Sequence, residues 1–171
     1  MSNSIAIWAS DQAICLISSL GNRWLHVQSV VEQARWVSQV FGESEGEYLM
    51  AAAYLHDIGY APELKRAGFH LIDGAIYLRA QGYERLAYLV AHHSESQFEA
   101  RFRGLESELA QFLREHSPLA EALNYCDMTT GPQGQRVSFE ERIADILSRY
   151  GETDIVVPSY TLGYASIAAS V

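Results

Sequence analysis

The chain has few cysteines and no long apolar run. Its 171 residues include two cysteines, Cys15 and Cys126, and two distant cysteines are more typical of reduced core residues than of a disulfide. No apolar run approaches the roughly 18 residues that a membrane-spanning helix requires. The first residues, MSNSIAIWASDQ, lack the basic and apolar regions of a secretory leader. We therefore expect a cytoplasmic protein with no membrane contact.

Positive charge is also scarce. The chain has 12 lysines and arginines against 21 aspartates and glutamates, and its formal net charge is −9. A nucleic acid duplex is not an expected partner, because duplex-binding proteins neutralise phosphates with clustered basic residues. A small anionic substrate remains compatible with this charge if a bound metal supplies positive charge locally. A homodimer is one possible assembly.

The hydrophobic period is helical throughout, and no segment alternates as a strand would. The segment from Asp11 to Val40 forms one apolar stripe, or two helices broken near Gly21-Asn22. A capping-box signal at Ser44 and Glu47 begins a helix that is apolar on all sides, which predicts a central position in the fold. Further helices are predicted over residues 70–81, 83–93, 95–114, 118–128 and 138–151, the last two with Ser117 as an N-cap and Ser138-Glu141 as a capping box. The pattern predicts an all-α domain of six to eight helices.

Several potential metal ligands fall at the ends of these helices. His56 and Asp57 end the most apolar helix, where an aspartate without partners would be costly to bury. An adjacent imidazole and carboxylate are good ligands for a divalent metal. The other candidates lie within a helix or near a helix end, where they could converge on the pair, and they are His26, His70, His92, His93 and Asp127. His116 is the one histidine that is predicted to lie in a loop.

The pattern of His26, then His56-Asp57 within HDIG, then Asp127 resembles the metal-binding signature of HD-domain phosphohydrolases. The resemblance covers about residues 20 to 150, and it implies a single HD-domain bundle over residues 1–171 with a packed tail over 152–171. It implies one metal site formed by His26, His56, Asp57 and Asp127, and a second formed by His70 and His92, with Asp57 bridging the two. Successive helical residues point about 100° apart, so His92 and His93 are not both expected to be ligands. We favour His92 as the ligand and expect catalytic contact with the substrate from His93.

A site of this kind holds one or two divalent transition metals, Mn, Fe or Co rather than Mg, because its ligands are rich in nitrogen. The resemblance implies a phosphohydrolase in which metal-activated water attacks a small phosphorylated metabolite, such as a nucleotide or another phosphomonoester. Tyr60-Ala61 stands where guanosine tetraphosphate hydrolases have Glu-Asp, and the GYP motif of cyclic-di-GMP phosphodiesterases is absent, so neither substrate is expected. Two alternatives remain open: a di-iron oxygenase that cleaves a C–C or C–P bond, and a nucleotide-sensing module without catalysis.

Five further residues are candidates for contact with the substrate. Arg23 lies about one helical turn before His26 and shares its face. Tyr60 follows the His-Asp pair and could line the pocket. Lys65 and Arg66 lie in the following loop, where they could meet an anionic group. Thr130, like its neighbour Thr129, could donate a hydroxyl hydrogen bond just after Asp127.

Overall fold

The computed structural model describes residues 4–149, and within this range the chain is helical without strands. The α-helices are α1 (Ile5–Ile17), α2 (Asn22–Val37), α3 (Glu43–Leu55), α4 (His70–Ala80), α5 (Glu84–His92), α6 (Ser96–Arg103), α7 (Glu106–Leu109), α8 (Pro118–Met128) and α9 (Phe139–Arg149). Short 3₁₀ turns cover Ser38–Val40, Ile58–Tyr60, Pro62–Leu64 and His93–Glu95. The all-α prediction is confirmed, with eight helices of eight or more residues in the described range and the four-residue α7. The predicted helix end at Gly151 and the predicted tail over residues 152–171 lie outside that range.

Helix α3 lies at the centre of the bundle. It contacts α1, α2, α5 and α8, and its alanines at positions 51, 52 and 53 are completely buried. Small side chains on several faces of one helix allow neighbouring helices to pack closely around it. This packing confirms the central position that the apolar sequence predicts, and it holds the end of α3, with the His-Asp pair, inside the protein.

The predicted capping box at Ser44 and Glu47 is wrong. Helix α3 begins at Glu43 after Gly42, and no side chain caps it. The carboxylate of Glu47 instead accepts hydrogen bonds from the Ser4 hydroxyl and from the Ala6 amide, at the start of α1. A carboxylate is favourable near the positive end of a helix, so Glu47 stabilises a neighbouring helix rather than its own.

Glycines mark two helix breaks, one predicted and one missed. The predicted break between α1 and α2 occurs at Gly21, whose φ is +55°. The single helix predicted over 95–114 is wrong, because Gly104 adopts φ +67° and ends α6. There the Leu105 amide donates to the Ala100 carbonyl at 2.9 Å, which is the hydrogen bond of a glycine-terminated helix end.

Helices α8 and α9 begin as predicted. The Ser117 hydroxyl accepts a hydrogen bond from the Ala120 amide at the start of α8. At α9 the Ser138 amide donates to Glu141 at 2.7 Å and the Glu141 amide donates to the Ser138 hydroxyl at 3.1 Å. Both predicted caps are confirmed.

Both cysteines are free thiols. Cys126 is buried, as predicted, whereas Cys15 is exposed on α1, so its placement in the core is wrong. Among residues 4–149, no helix has the length and apolar character that a membrane crossing would demand.

Candidate metal centre

Three buried histidines share one hydrogen-bonding arrangement. In each, ring nitrogen Nδ1 lies within hydrogen-bond distance of a backbone carbonyl: His26 with Gly131 at 3.1 Å, His56 with Ala53 at 2.8 Å and His93 with Val90 at 2.8 Å. A carbonyl can only accept, so this geometry assigns a proton to Nδ1 and leaves Nε2 as the nitrogen that faces the carboxylates or a metal. Metal-binding imidazoles are commonly oriented in this way by a hydrogen bond from their second nitrogen.

The Nε2 atoms of three histidines surround the carboxylate of Asp57. They lie 3.4 Å (His56), 3.5 Å (His70) and 3.9 Å (His26) from its oxygens. Two sets of ligand atoms result, each within 4.8 Å of one another: His26, His56 and Asp57 form one set, and Asp57, His70 and His93 form the other. Asp57 belongs to both, which is the placement expected of a carboxylate that bridges two metals.

Asp127 lies beside the first of these sets. Its Oδ1 is 3.1 Å from His26 Nε2, and its Oδ2 accepts a hydrogen bond from the Ser94 hydroxyl at 2.5 Å. Ser94 and Glu95 both have left-handed backbones, with φ of +54° and +55°. Such strain in non-glycine residues persists only where the surroundings impose it, and here the Ser94 amide is held by the Asn124 side chain at 2.8 Å. The turn after α5 therefore aims Ser94 at Asp127.

The charges in this cluster suit a divalent cation. Burial disfavours ionisation of Asp57, but Arg23 and His56 outweigh it and hold the pKa of Asp57 well below its ordinary value. Burial is likewise overcome at Asp127, where hydrogen bonding to His26 and its charge lower the pKa. Burial lowers the pKa of His93, and it lowers that of His70 to about 3. Ionised carboxylates and neutral imidazoles are the forms that bind metals.

His56 differs from His70 and His93 because its pKa is raised, but its surroundings also favour a bound cation. Burial lowers its pKa, but the negative charges of Asp57 and Asp127 more than reverse this effect, so that the pKa is raised. Its Nε2 is completely buried and has no hydrogen-bond partner among the described residues. A cation at this atom would satisfy both the unpaired nitrogen and the field of the two carboxylates. The residues therefore fit a metal.

The structure places the two adjacent histidines in different surroundings, and His93 rather than His92 lies in the cluster. His92 ends α5, and its Nε2 lies 2.8 Å from the Phe112 carbonyl, in a second cavity that it shares with Arg114 and His116. His93 begins the next turn with an extended backbone, φ −67° and ψ 157°, and this turn brings its ring to 5.4 Å from that of His56. The two residues point in different directions, as their helical spacing predicts. The chain leaves the helix between them, however, and this places His93 in the cluster.

A cavity of about 800 Å³ opens beside the cluster, and some predicted substrate contacts line it. Arg23 contacts Asp57 Oδ2 at 2.6 Å, and its guanidinium stacks 4.0 Å from the ring centroid of Tyr60. Tyr60 in turn stacks on the His70 ring at 4.1 Å. Lys65 also lines the cavity, from the exposed loop after the His-Asp pair. Arg23, Tyr60 and Lys65 are therefore all placed where a substrate could reach them.

The other predicted contacts point elsewhere. Arg66 is exposed and is not among the described residues that line the cavity. Thr130 is completely buried, and its hydroxyl donates to the Cys126 carbonyl at 2.7 Å and contacts the Gln33 amide. The Thr129 hydroxyl contacts Gln33 and the Tyr125 carbonyl. The two threonines form an internal network between α2 and α8, and Thr130 does not line the cavity. Gln33 connects the two threonines, and nothing in its sequence context indicates this role.

Asp73 is a further residue that the sequence did not single out. It is buried on α4 and accepts hydrogen bonds from the amides of Arg66, Ala67 and Gly68 at 3.0, 2.6 and 3.1 Å. One carboxylate thus fixes the loop that carries Lys65. An aspartate four residues into an apolar helix was the available signal.

An all-helical fold with a buried histidine–aspartate cluster defines a candidate metal-binding protein. The family model of the HD domain matches residues 23–150, so the chain belongs to the HD domain family. Proteins of this family are generally metal-dependent hydrolases that bind divalent metals. No curated protein matches the chain, and no solved structure matches it.

Proposed function

We propose that the chain is a metal-dependent phosphohydrolase that acts on a small phosphomonoester, such as a nucleotide. The observation that carries this proposal is the pair of ligand sets that share Asp57 and border an open cavity. The cavity volume of about 800 Å³ is within the range of small-molecule sites. Five cationic side chains are among the described residues that line it: Arg23, Lys65, Arg103, Arg142 and Arg149.

The described residues would form two metal positions. His26, His56 and Asp57, with Asp127 beside them, would hold one ion, and Asp57, His70 and His93 would hold the other. Bound divalent metals supply a water nucleophile at neutral pH and charge stabilisation for a phosphoryl group. Because nitrogen ligands predominate, Mn, Fe or Co suits the site better than Mg.

The protein's own side chains bind and orient the substrate. Arg23 is held over Tyr60 and beside Asp57, so its guanidinium is in place to contact an anionic group next to the ligands. Lys65 adds a second positive charge from the loop that Asp73 fixes. The carbonyl-bound Nδ1 atoms of His26, His56 and His93 keep the Nε2 atoms directed at Asp57.

The test combines metal content with turnover. Protein purified without chelators should contain Mn, Fe or Co and should hydrolyse at least one member of a phosphomonoester panel that includes nucleoside monophosphates. Asp57→Ala should lose metal and activity together while retaining its helical circular dichroism, and His116→Ala, an exposed residue outside the cluster, should retain both. Full metal occupancy in Asp57→Ala would disprove the ligand assignment.

The same measurements separate the two alternatives. A di-iron oxygenase would contain iron and consume dioxygen with substrate, and it would leave the phosphomonoesters intact. A sensing module would bind metal and nucleotide without turnover in either assay. Either result would replace the hydrolase proposal.

A further inference from the structure

Helix α9 carries a charged residue on its buried face. The buried residues of this helix are Phe139, Arg142, Ile143 and Ile146, and only 7% of Arg142 is exposed. An arginine at such a position needs partners, because burying an unpaired charge is costly. A guanidinium has five N–H donors, so its partners can be counted.

Arg142 has too few partners within residues 4–149. Its Nη1 is 3.4 Å from Asp145 Oδ2 and its Nη2 is 3.9 Å from Asp127 Oδ1. The first distance is long for a charged pair, and the second is beyond hydrogen-bond range. Its Nε is buried and has no partner among the described residues.

Both acidic neighbours have closer partners than Arg142. Asp145 contacts Arg149 Nη2 at 2.9 Å, and Asp127 contacts His26 at 3.1 Å and Ser94 at 2.5 Å. Arg142 is therefore not the residue that orients Asp127. Its charge and its donors are available to a further acceptor.

The position of Arg142 indicates what that acceptor is. It lines the cavity beside Asp127, just as Arg23 lines it beside Asp57. The Nε2 of His26 is within 3.9 Å of both carboxylates, so the two arginines flank one ligand set. The planar fork of a guanidinium matches two oxygens of a phosphate. Resting on the proposed function, we infer that Arg142 forms an anion subsite that binds the phosphoryl group of the substrate next to the metal ligands.

Inorganic phosphate is the probe for this subsite. Its affinity for Mn²⁺-loaded full-length protein is measured by isothermal titration calorimetry for the wild type, Arg142→Gln, Arg142→Lys and Arg35→Gln. Arg142→Gln should weaken phosphate binding about 10- to 100-fold, as expected for the loss of hydrogen bonds to a charged group. Arg142→Lys keeps the charge but loses the fork, and it should bind with intermediate affinity. Arg35 is exposed on α2 outside the cavity, so Arg35→Gln should match the wild type.

The Mn²⁺ affinity of each variant is the second measurement. It should be unchanged in Arg142→Gln if Arg142 contacts the anion. A fall in Mn²⁺ affinity with unchanged phosphate affinity would mean that Arg142 acts only through Asp127, and it would overturn the proposal. Failure of the wild type to bind phosphate would also overturn it. If Arg142→Gln does not fold, as judged by circular dichroism, Arg142→Lys decides the question by the same comparison.

Turnover distinguishes this inference from the function on which it rests. If the wild type hydrolyses a phosphomonoester while Arg142→Gln binds phosphate normally, the subsite is wrong and the hydrolase assignment stands. If phosphate binding depends on Arg142 but no ester is cleaved, the subsite stands and the hydrolase assignment fails.

Discussion

His92 and His93 are neighbours in the sequence with different surroundings. The His92 ring lies against the Phe112 carbonyl, whereas His93 Nδ1 faces the Val90 carbonyl and its Nε2 belongs to the ligand set around Asp57. The difference arises because the helix ends between the two residues. They therefore form a matched pair for mutation, with the same side chain lost on each side of the boundary.

His93→Ala should remove at least one equivalent of bound metal, because its Nε2 completes the ligand set with Asp57 and His70. His92→Ala should retain full metal content and should lose only about 1 kcal/mol of stability with its hydrogen bond to Phe112. Elemental analysis and urea unfolding of both variants test this prediction. Loss of metal from His92→Ala alone would restore the assignment made from the sequence.

Motif spacing predicts which histidines and aspartates cluster better than it predicts the residues around them. His26, the His56-Asp57 pair, His70 and Asp127 are brought together as the resemblance implied, because their residue types already suggest metal binding. Ser94 and Arg142 were missed because a serine after a helix and an arginine in an amphipathic helix are common in proteins. Only the folded structure shows that Ser94 is hydrogen-bonded to Asp127 and that Arg142 lies beside it.

At the scale of elements, the turn after α3 and the helix α4 are in direct backbone contact. A Cβ added to Gly59 would lie 1.9 Å from the His70 carbonyl oxygen and 2.6 Å from the Gly74 amide. Both are main-chain atoms and cannot move aside as a flexible side chain can. This contact brings His70, the first residue of α4, to Asp57.

Gly59→Ala should therefore force α4 away from the turn. We expect a loss of about 3 kcal/mol in the free energy of unfolding, at the upper end for overpacking, together with weaker metal binding by His70. Gly42→Ala is the control, because nothing lies within 4 Å of its added Cβ and its φ is −65°. Urea unfolding and Mn²⁺ titration measure both effects. Wild-type stability of Gly59→Ala would show that the two segments are not in contact.

Helix starts could be predicted where the capping residues contact their own helix rather than a remote one. Ser117 and the Ser138-Glu141 pair cap α8 and α9 through contacts within three residues, and the Ser117 hydroxyl can donate to Glu115 while it accepts from the Ala120 amide. Glu47 carried the same signal but serves α1, which is remote in sequence and close in space. A local reading cannot detect such a remote partner.

For the whole molecule, the metal-free cluster makes stability depend on pH. The folded protein holds His70 at a pKa of about 3 and lowers that of His93, whereas an unfolded chain protonates histidine near 6.5. The unfolded state then binds more protons as the pH falls below about 6.5, and stability decreases. His56 has a raised pKa, and its stabilising effect is lost only as the pH rises above about 6.5, so it does not oppose the other two below that pH.

For protein kept in chelator, His70 and His93 together give a slope of up to about 2.7 kcal/mol per pH unit between about pH 6.5 and pH 5. His70→Gln should remove one of the two contributions and flatten the dependence. Urea unfolding at several pH values measures both slopes. An equally steep slope in His70→Gln would mean that His70 protonates as readily in the folded state as in the unfolded state.

The carbonyls that orient His26, His56 and His93 belong to the main chain, which every substitution leaves in place. Nearby side chains can therefore be exchanged without turning the imidazoles, as long as the helices and the loop after α8 keep their paths. Residues on the cavity wall, such as Lys65 and Arg142, are not tied to the imidazoles in this way. Substitutions on the cavity wall can thus change what the cavity binds, while the imidazole nitrogens keep their positions.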